Sequence, residues 1–272
     1  MRWVVDTTGR FEWRPYYSQD ELDNECERIV SEFLIGRYGK GCFPLSTDEL
    51  SLMIERETSD LDLYADLSGE GEDVEGLTTF FSSKKPAVKI AQELTLDDAK
   101  SLRLRETMAH EYGHVKFHAF LWDISLKDLQ DGNLIKRICR QRHRYESFRS
   151  RLSSGYRPAG HRVFTPQMPV SSVGPRCKKT RIVDAPVSDW MEWQASYAGG
   201  AILMPFSLVR NIVNNSMTSG SERAVDSIER VAQAFNVSTG AARVRLLMLG
   251  FLPEQQQKDD APPIRELLYV SF

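Results

Sequence analysis

The apolar positions change period several times along the chain. Residues 2–14 alternate as in a β-hairpin, with Trp3-Val4-Val5, then Thr7-Thr8-Gly9, then Phe11-Glu12-Trp13. Ser18 followed by Glu21 is a capping-box pattern, and Leu22, Cys26, Ile29 and Phe33 then recur at helical spacing. Pro44 closes that region. Ser46 with Glu49 opens a second, shorter helix carrying Leu50, Met53 and Ile54. Leu61, Leu63, Ala65 and Leu67 then alternate with polar residues. A Gly/Glu/Asp turn at 69–73 leads to strand patterns at 76–81 and 86–90. These segments predict a small antiparallel sheet with short connections.

A long helix is expected from about Asp97 to Trp122, because Leu104, Met108, Tyr112, Val115, Ala119 and Trp122 form one apolar stripe. Residues 136–181 are rich in Arg, Ser, Pro and Gly and resemble an insertion more than a core element. Helical pattern returns at about 189–203, stops at Pro205, and continues in two further helices near 221–235 and 238–249. The order helix, sheet, helix-rich C-terminal half argues for an α+β fold. Three regions follow: a hairpin and helix at 1–44, a sheet-and-helix region at 45–205 carrying the insertion, and a helical region at 206–272.

Composition narrows the class. The 272 residues are 41% hydrophobic and 27% charged with a formal net charge of −3, an ordinary globular balance. No run approaches the ~18 apolar residues of a membrane helix, and Met1 to Asp6 lack a signal-peptide stretch. Cys26, Cys42, Cys139 and Cys177 lie far apart with no CxxC spacing, so a reducing cytoplasm is expected and a disulfide scaffold is not. The small net charge hides an asymmetry. Residues 136–181 hold 13 Lys or Arg and one acid, Glu146, whereas residues 48–75 hold 11 acids and one base, Arg56. The two regions could neutralise each other, or the basic one could bind nucleic acid or an acidic partner.

The chemistry concentrates at Met108-Ala109-His110-Glu111-Tyr112-Gly113-His114, an HExxH sequence inside the best-patterned helix. Imidazoles at i and i+4 sit about 40° apart on one helix face, so one metal ion can bind both. Glu111, beside the first ligand, is placed to take a proton from a water that the metal activates. With five histidines in 272 residues, a chance HExxH is rare. His118 continues the i, i+4, i+8 series, but along an unbroken helix it lies ~12 Å from His110, too far to share an ion. The third ligand must then come from another element. Glu192 is an acid embedded in the apolar, aromatic stretch 190–198, where an unpaired carboxylate would cost several kcal/mol and metal coordination would remove that cost. Asp189 reads better as a helix cap or first-turn residue.

These segments resemble the ImmA/IrrE family of zinc metallopeptidases: residues 107–118 around HExxH, then Glu192-Trp193-Gln194-Ala195-Ser196-Tyr197-Ala198 running on to Met204-Pro205. The tail at 231–252 and the sheet at 76–90 are similar to that family's helical end and to the sheet preceding its active helix. The resemblance covers about 45–122 and 185–252. It implies a zincin-like, gluzincin-type site with one zinc on His110, His114 and Glu192 and with Glu111 as base. It also implies a cytoplasmic endopeptidase that cleaves a regulatory protein, typically a DNA-binding repressor. The 81-residue gap between Glu111 and Glu192 is longer than that family's usual spacing.

Other features have plainer readings. Residues 221–249 have helix-turn-helix character, but only Arg243 and Arg245 of the second helix suit a DNA reader, which favours a structural role. Cys139, His143, His161 and Cys177 match no compact zinc-finger spacing, although Cys177 alone could reach the catalytic metal as a fourth, inhibitory ligand. Tyr197 and His161 are both candidates to stabilise an oxyanion. An edge of the small sheet could hold an extended substrate by strand addition. The expectation is therefore a zinc metalloendopeptidase. Its rival is a nucleic-acid-responsive regulator that has a structural zinc and binds through 136–181.

Overall fold

The computed structural model describes residues 1–122 except 12, 42, 72, 82 and 83, then 173–178, 185–217 and 224–253. Strands β1 (Arg2–Val5) and β2 (Trp13–Tyr16) form the expected antiparallel hairpin. Helix α1 (Gln19–Tyr38) begins at a complete Ser18/Glu21 capping box and ends at Gly39 in the left-handed conformation. Helix α2 (Thr47–Glu57) begins at the equivalent Ser46/Glu49 box.

Four strands follow: β3 (Asp60–Ala65), β4 (Val74–Thr79), β5 (Ala87–Ala91) and β6 (Val173–Lys178). Their order is β3-β5-β4-β6. The β4–β5 and β4–β6 pairs are antiparallel, but β3 and β5 are parallel. The expectation of a small antiparallel sheet thus holds at two pairs and is corrected at the third. The β4–β5 hairpin enters beside β3 with β5, not β4, as its neighbour, and alternation within each strand carries no information on that choice. The second correction is β6 itself, a sheet strand inside the segment expected to be an insertion.

After the short helix α3 (Gln92–Thr95) comes α4 (Ser101–Phe117), which carries HExxH. The expected helix of 97–122 is shorter at both ends. Residues 98–100 and 119–122 are single 3-10 turns, with His118 between α4 and the second of them at non-helical φ −125°. Helices α5 (Trp190–Leu203), α6 (Phe206–Met217), α7 (Ala224–Phe235) and α8 (Thr239–Met248) complete the described chain. Helix α6 has no strong local signal, since Asn, Ser and Val are weak helix formers. Its first turn is capped from α1, with the Ser207 N–H donating to Glu27 Oε2 at 3.2 Å and the Ser207 hydroxyl donating to Glu27 Oε1.

Every residue of α5 except Gly200 is buried, as a helix apolar on all sides must be. It packs against α4, α1, α8 and β6. The α4–α5 approach is close: a Cβ on Gly113 would stand 2.9 Å from the Ala195 carbonyl oxygen, and one on Gly199 3.0 Å from the His110 nitrogen. Bare backbone at these two positions lets α5 bring Glu192 against the histidines. One hydrophobic cluster runs through all three expected regions, from Leu22 and Leu34 through Met108 and Ile202 to Phe235 and Leu246. A second cluster, with Phe80 stacked on Trp122 at 4.1 Å, joins the N-terminal hairpin to α5.

The α7–α8 pair is bolted onto α4. Arg105 donates to the carbonyls of Phe235 and Asn236, and the Ser238 N–H donates to Glu106 Oε1 at 2.8 Å. Arg245, one of the two basic candidates for a DNA reader, is buried and paired with Asp23 of α1 at 2.6 Å. No helix among the described residues is long and apolar enough to cross a membrane. Most of the basic segment 136–181, with Cys139, His143 and His161, lies outside the described residues.

Candidate metal centre

Four side chains from three elements converge in the interior: His110 and His114 of α4, Glu192 of α5 and Cys177 of β6. All four are buried, and one ligand atom from each lies within 4.8 Å of the others. The two Nε2 atoms are 3.1 Å apart. Glu192 places Oε2 3.3 Å from His110 Nε2 and Oε1 3.3 Å from His114 Nε2. Cys177 Sγ is 3.3 Å from His114 Nε2 and 3.8 Å from Glu192 Oε1. Donors ~2.0–2.3 Å from one ion at tetrahedral angles stand about 3.3–3.7 Å apart, so these separations approximate the edges of such a tetrahedron. The group could hold a metal ion.

The surroundings prepare the donors. Burial works to raise the Glu192 pKa, but the adjacent His110 and His114 outweigh it and hold the carboxyl well below its usual range. Among the described residues no lysine or arginine is paired with this anion, and the set calls for positive charge at its centre. Burial, and then the Glu111 and Glu192 carboxylates, push the Cys177 thiol well up. A bound cation reverses that preference, since a coordinating thiol is deprotonated outright.

A chain of hydrogen bonds orients His114. Gln194 donates its amide to the Pro15 carbonyl at 3.0 Å, which turns Oε1 toward His118 Nε2 at 3.1 Å. His118 Nε2 therefore carries the proton, its Nδ1 accepts from His114 Nδ1 at 2.9 Å, and the His114 Nε2 lone pair faces the centre. Burial, with His114 alongside, pushes the His118 pKa well down, which keeps that ring neutral. On the other ligand, Ser196 Oγ lies 3.4 Å from His110 Nδ1. His118 thus touches the centre only through His114.

Glu111 stands beside the cluster without joining it. The Thr78 hydroxyl donates to Oε2 at 2.5 Å, while Oε1 is buried with no hydrogen-bond partner among the described residues. Gly76, two residues before Thr78 on the same face of β4, leaves room for this carboxylate. A Cβ there would meet Glu111 Oε1 at 2.1 Å.

The structure brings His110, His114, Glu192 and Glu111 together, and adds Cys177. Asp189 occupies the N-cap position of α5 without a side-chain cap bond. Tyr197 is engaged elsewhere, its hydroxyl donating to Asp23 Oδ2 at 2.9 Å, and burial raises its pKa; it is not free to serve an oxyanion. His161 lies outside the described residues. Sequence reasoning missed Thr78, Gly76 and Gln194. The one signal available was a glycine inside a strand pattern, which marks close approach of another group. No protein-family model matches the chain, and no curated protein matches it either.

Proposed function

We propose that this chain is a zinc-dependent endopeptidase on a zincin-like scaffold, with a regulatory protein of the repressor type as its substrate. The observation that supports it is Glu111, a buried carboxylate that abuts the four-donor cluster without being one of its donors, with one oxygen held by Thr78 and the other without a hydrogen-bond partner among the described residues. A purely structural site has no use for that group. The donor set fits zinc: two imidazoles, a carboxylate and a thiol at tetrahedral spacing, with the second nitrogen of His114 already tied back. When bound, zinc would acidify water and polarise the scissile carbonyl.

The rest is supplied by the chain. His110, His114 and Glu192 would hold the ion, and the link from Gln194 through His118 fixes the ring of His114. Thr78 anchors one oxygen of Glu111, so the other, Oε1, is left to accept the proton of the attacking water and pass it to the leaving amine. An extended substrate would lie along the sheet next to β4, the strand that touches Glu111, in the place that β6 fills here. The test is Glu111→Gln, which should keep one zinc per chain, hold its substrate uncut and allow that substrate to be captured and identified. A Glu111→Gln protein that cleaves the captured partner at the unmutated rate overturns the reading.

The rival reading, a structural zinc in a nucleic-acid-responsive regulator, draws support from one observation. Cys177 fills the fourth corner, and closed four-ligand sites are the structural kind.

A further inference from the structure

The position of Cys177 carries more than a choice between those readings. Four of the candidate ligands or their neighbours are placed by helices α4 and α5, whereas Cys177 arrives on β6 at the end of the sheet. Strand β6 runs antiparallel to β4, with Cys177 opposite Gly76 and Arg176 opposite Leu77. Gly76 and Thr78 are the residues of β4 that meet Glu111. Without β6, β4 would be an open edge directly over the HExxH helix, with its backbone groups free to pair with an extended peptide. A peptide bound in the register of β6 would pass the centre beside Gly76, at the position Cys177 now occupies.

We infer that β6 is an internal stand-in for substrate, which occupies the β4 edge and closes the fourth metal position with the Cys177 sulfur. This inference rests on the peptidase reading and deepens it: the centre is latent as described, and opens to water and substrate when β6 leaves β4. The thiol gives up its proton to solvent on ligating the metal, and takes one back on release. The strand is suited to leaving. Its pairing with β4 is broken by two register shifts, one between Val74 and Gly76 and one between Leu77 and Thr79. Its sequence carries Gly174 and Pro175 in the interior, and Pro175 has no N–H for the ladder. The thiol is wholly buried among the other donors, so it closes the centre instead of facing solvent.

The test is made on full-length protein loaded with cobalt in place of zinc, with acetohydroxamate as a probe for an open coordination position. The unmutated protein should show a sulfur-to-cobalt charge-transfer band and ignore the hydroxamate. Cys177→Ala should keep one metal per chain, lose that band and bind the hydroxamate, with Cys177→Ser as a second variant should the alanine form fold poorly. Hydrolysis of a fluorogenic mixed-peptide library should rise at least ~10-fold in Cys177→Ala, and Glu111→Gln in that background should abolish it. Absence of the sulfur band in the unmutated protein, or equal hydroxamate binding with and without Cys177, overturns the inference and leaves the peptidase reading standing. An open, hydroxamate-binding Cys177→Ala centre with no Glu111-dependent hydrolysis supports the ligand assignment and overturns the peptidase reading, and latency with it.

Discussion

Removing Glu192 and removing His118 should have unequal effects on metal affinity, and the inequality follows from where each side chain ends. Both carboxylate oxygens of Glu192 reach the centre, one 3.3 Å from each Nε2. His118 stops one residue short, at His114 Nδ1. Structural zinc sites bind with about 10–16 kcal/mol over four ligands, so one ligand carries about 2.5–4 kcal/mol, or about 100- to 1,000-fold in affinity. Loss of a group behind a ligand costs about 10- to 100-fold. Competition titrations against a chromophoric chelator would measure both. Thermal unfolding gives a second reading: zinc at 1,000 times its Kd stabilises by about 4 kcal/mol, which falls to about 1.4 kcal/mol or less once affinity drops 100-fold. For a chain of this size each kcal/mol moves Tm by about 2–4 °C. Asp189→Ala should change neither quantity, because Asp189 makes no side-chain cap bond. A His118→Ala protein that binds zinc more weakly than Glu192→Ala would refute the geometry and move the ligand role to His118.

Three further outcomes follow. Gly76→Ala should keep zinc but cut hydrolysis by ~100-fold, because the new Cβ would stand 2.1 Å from Glu111 Oε1 and misplace the proton acceptor; unchanged kcat with library peptides in the Cys177→Ala background would refute this. Asp23→Ala leaves the Arg245 guanidinium buried without its carboxylate and should cost about 3–5 kcal/mol by urea unfolding at unchanged zinc stoichiometry; a cost under about 1 kcal/mol would show that the pair does not hold α1 to α8. Glu49→Gln should flatten the acid limb of the stability curve. Burial opposes the Glu49 carboxylate, but the Ser46 N–H at 2.6 Å, with help from Tyr38, outweighs it and lowers the pKa. Its contribution is therefore complete above the ordinary value of about 4.5 and drains away as pH falls below it, so an acid limb as steep in Glu49→Gln as in the unmutated protein would exclude the box as its source.

Local physics settled much of this molecule from the sequence alone. The Ser18/Glu21 and Ser46/Glu49 boxes close hydrogen bonds across three residues, so they are readable wherever they occur. HExxH is likewise a statement about one turn of helix, and Glu192 stands out as the one charged residue of a mostly apolar helix. Tertiary structure decided what depends on partners far along the chain. Helix α4 stops before His118, whose ring bonds Gln194 76 residues on. Helix α6 takes its cap from Glu27, 180 residues earlier. The parallel β3–β5 pair and the placement of β6 against β4 are choices of neighbour, and strand alternation is the same whichever neighbour is chosen. Cys177 shows the limit most clearly. Nothing in its spacing marks a ligand, because its separation from His114, 63 residues, is bridged by a sheet register and not by a helical repeat.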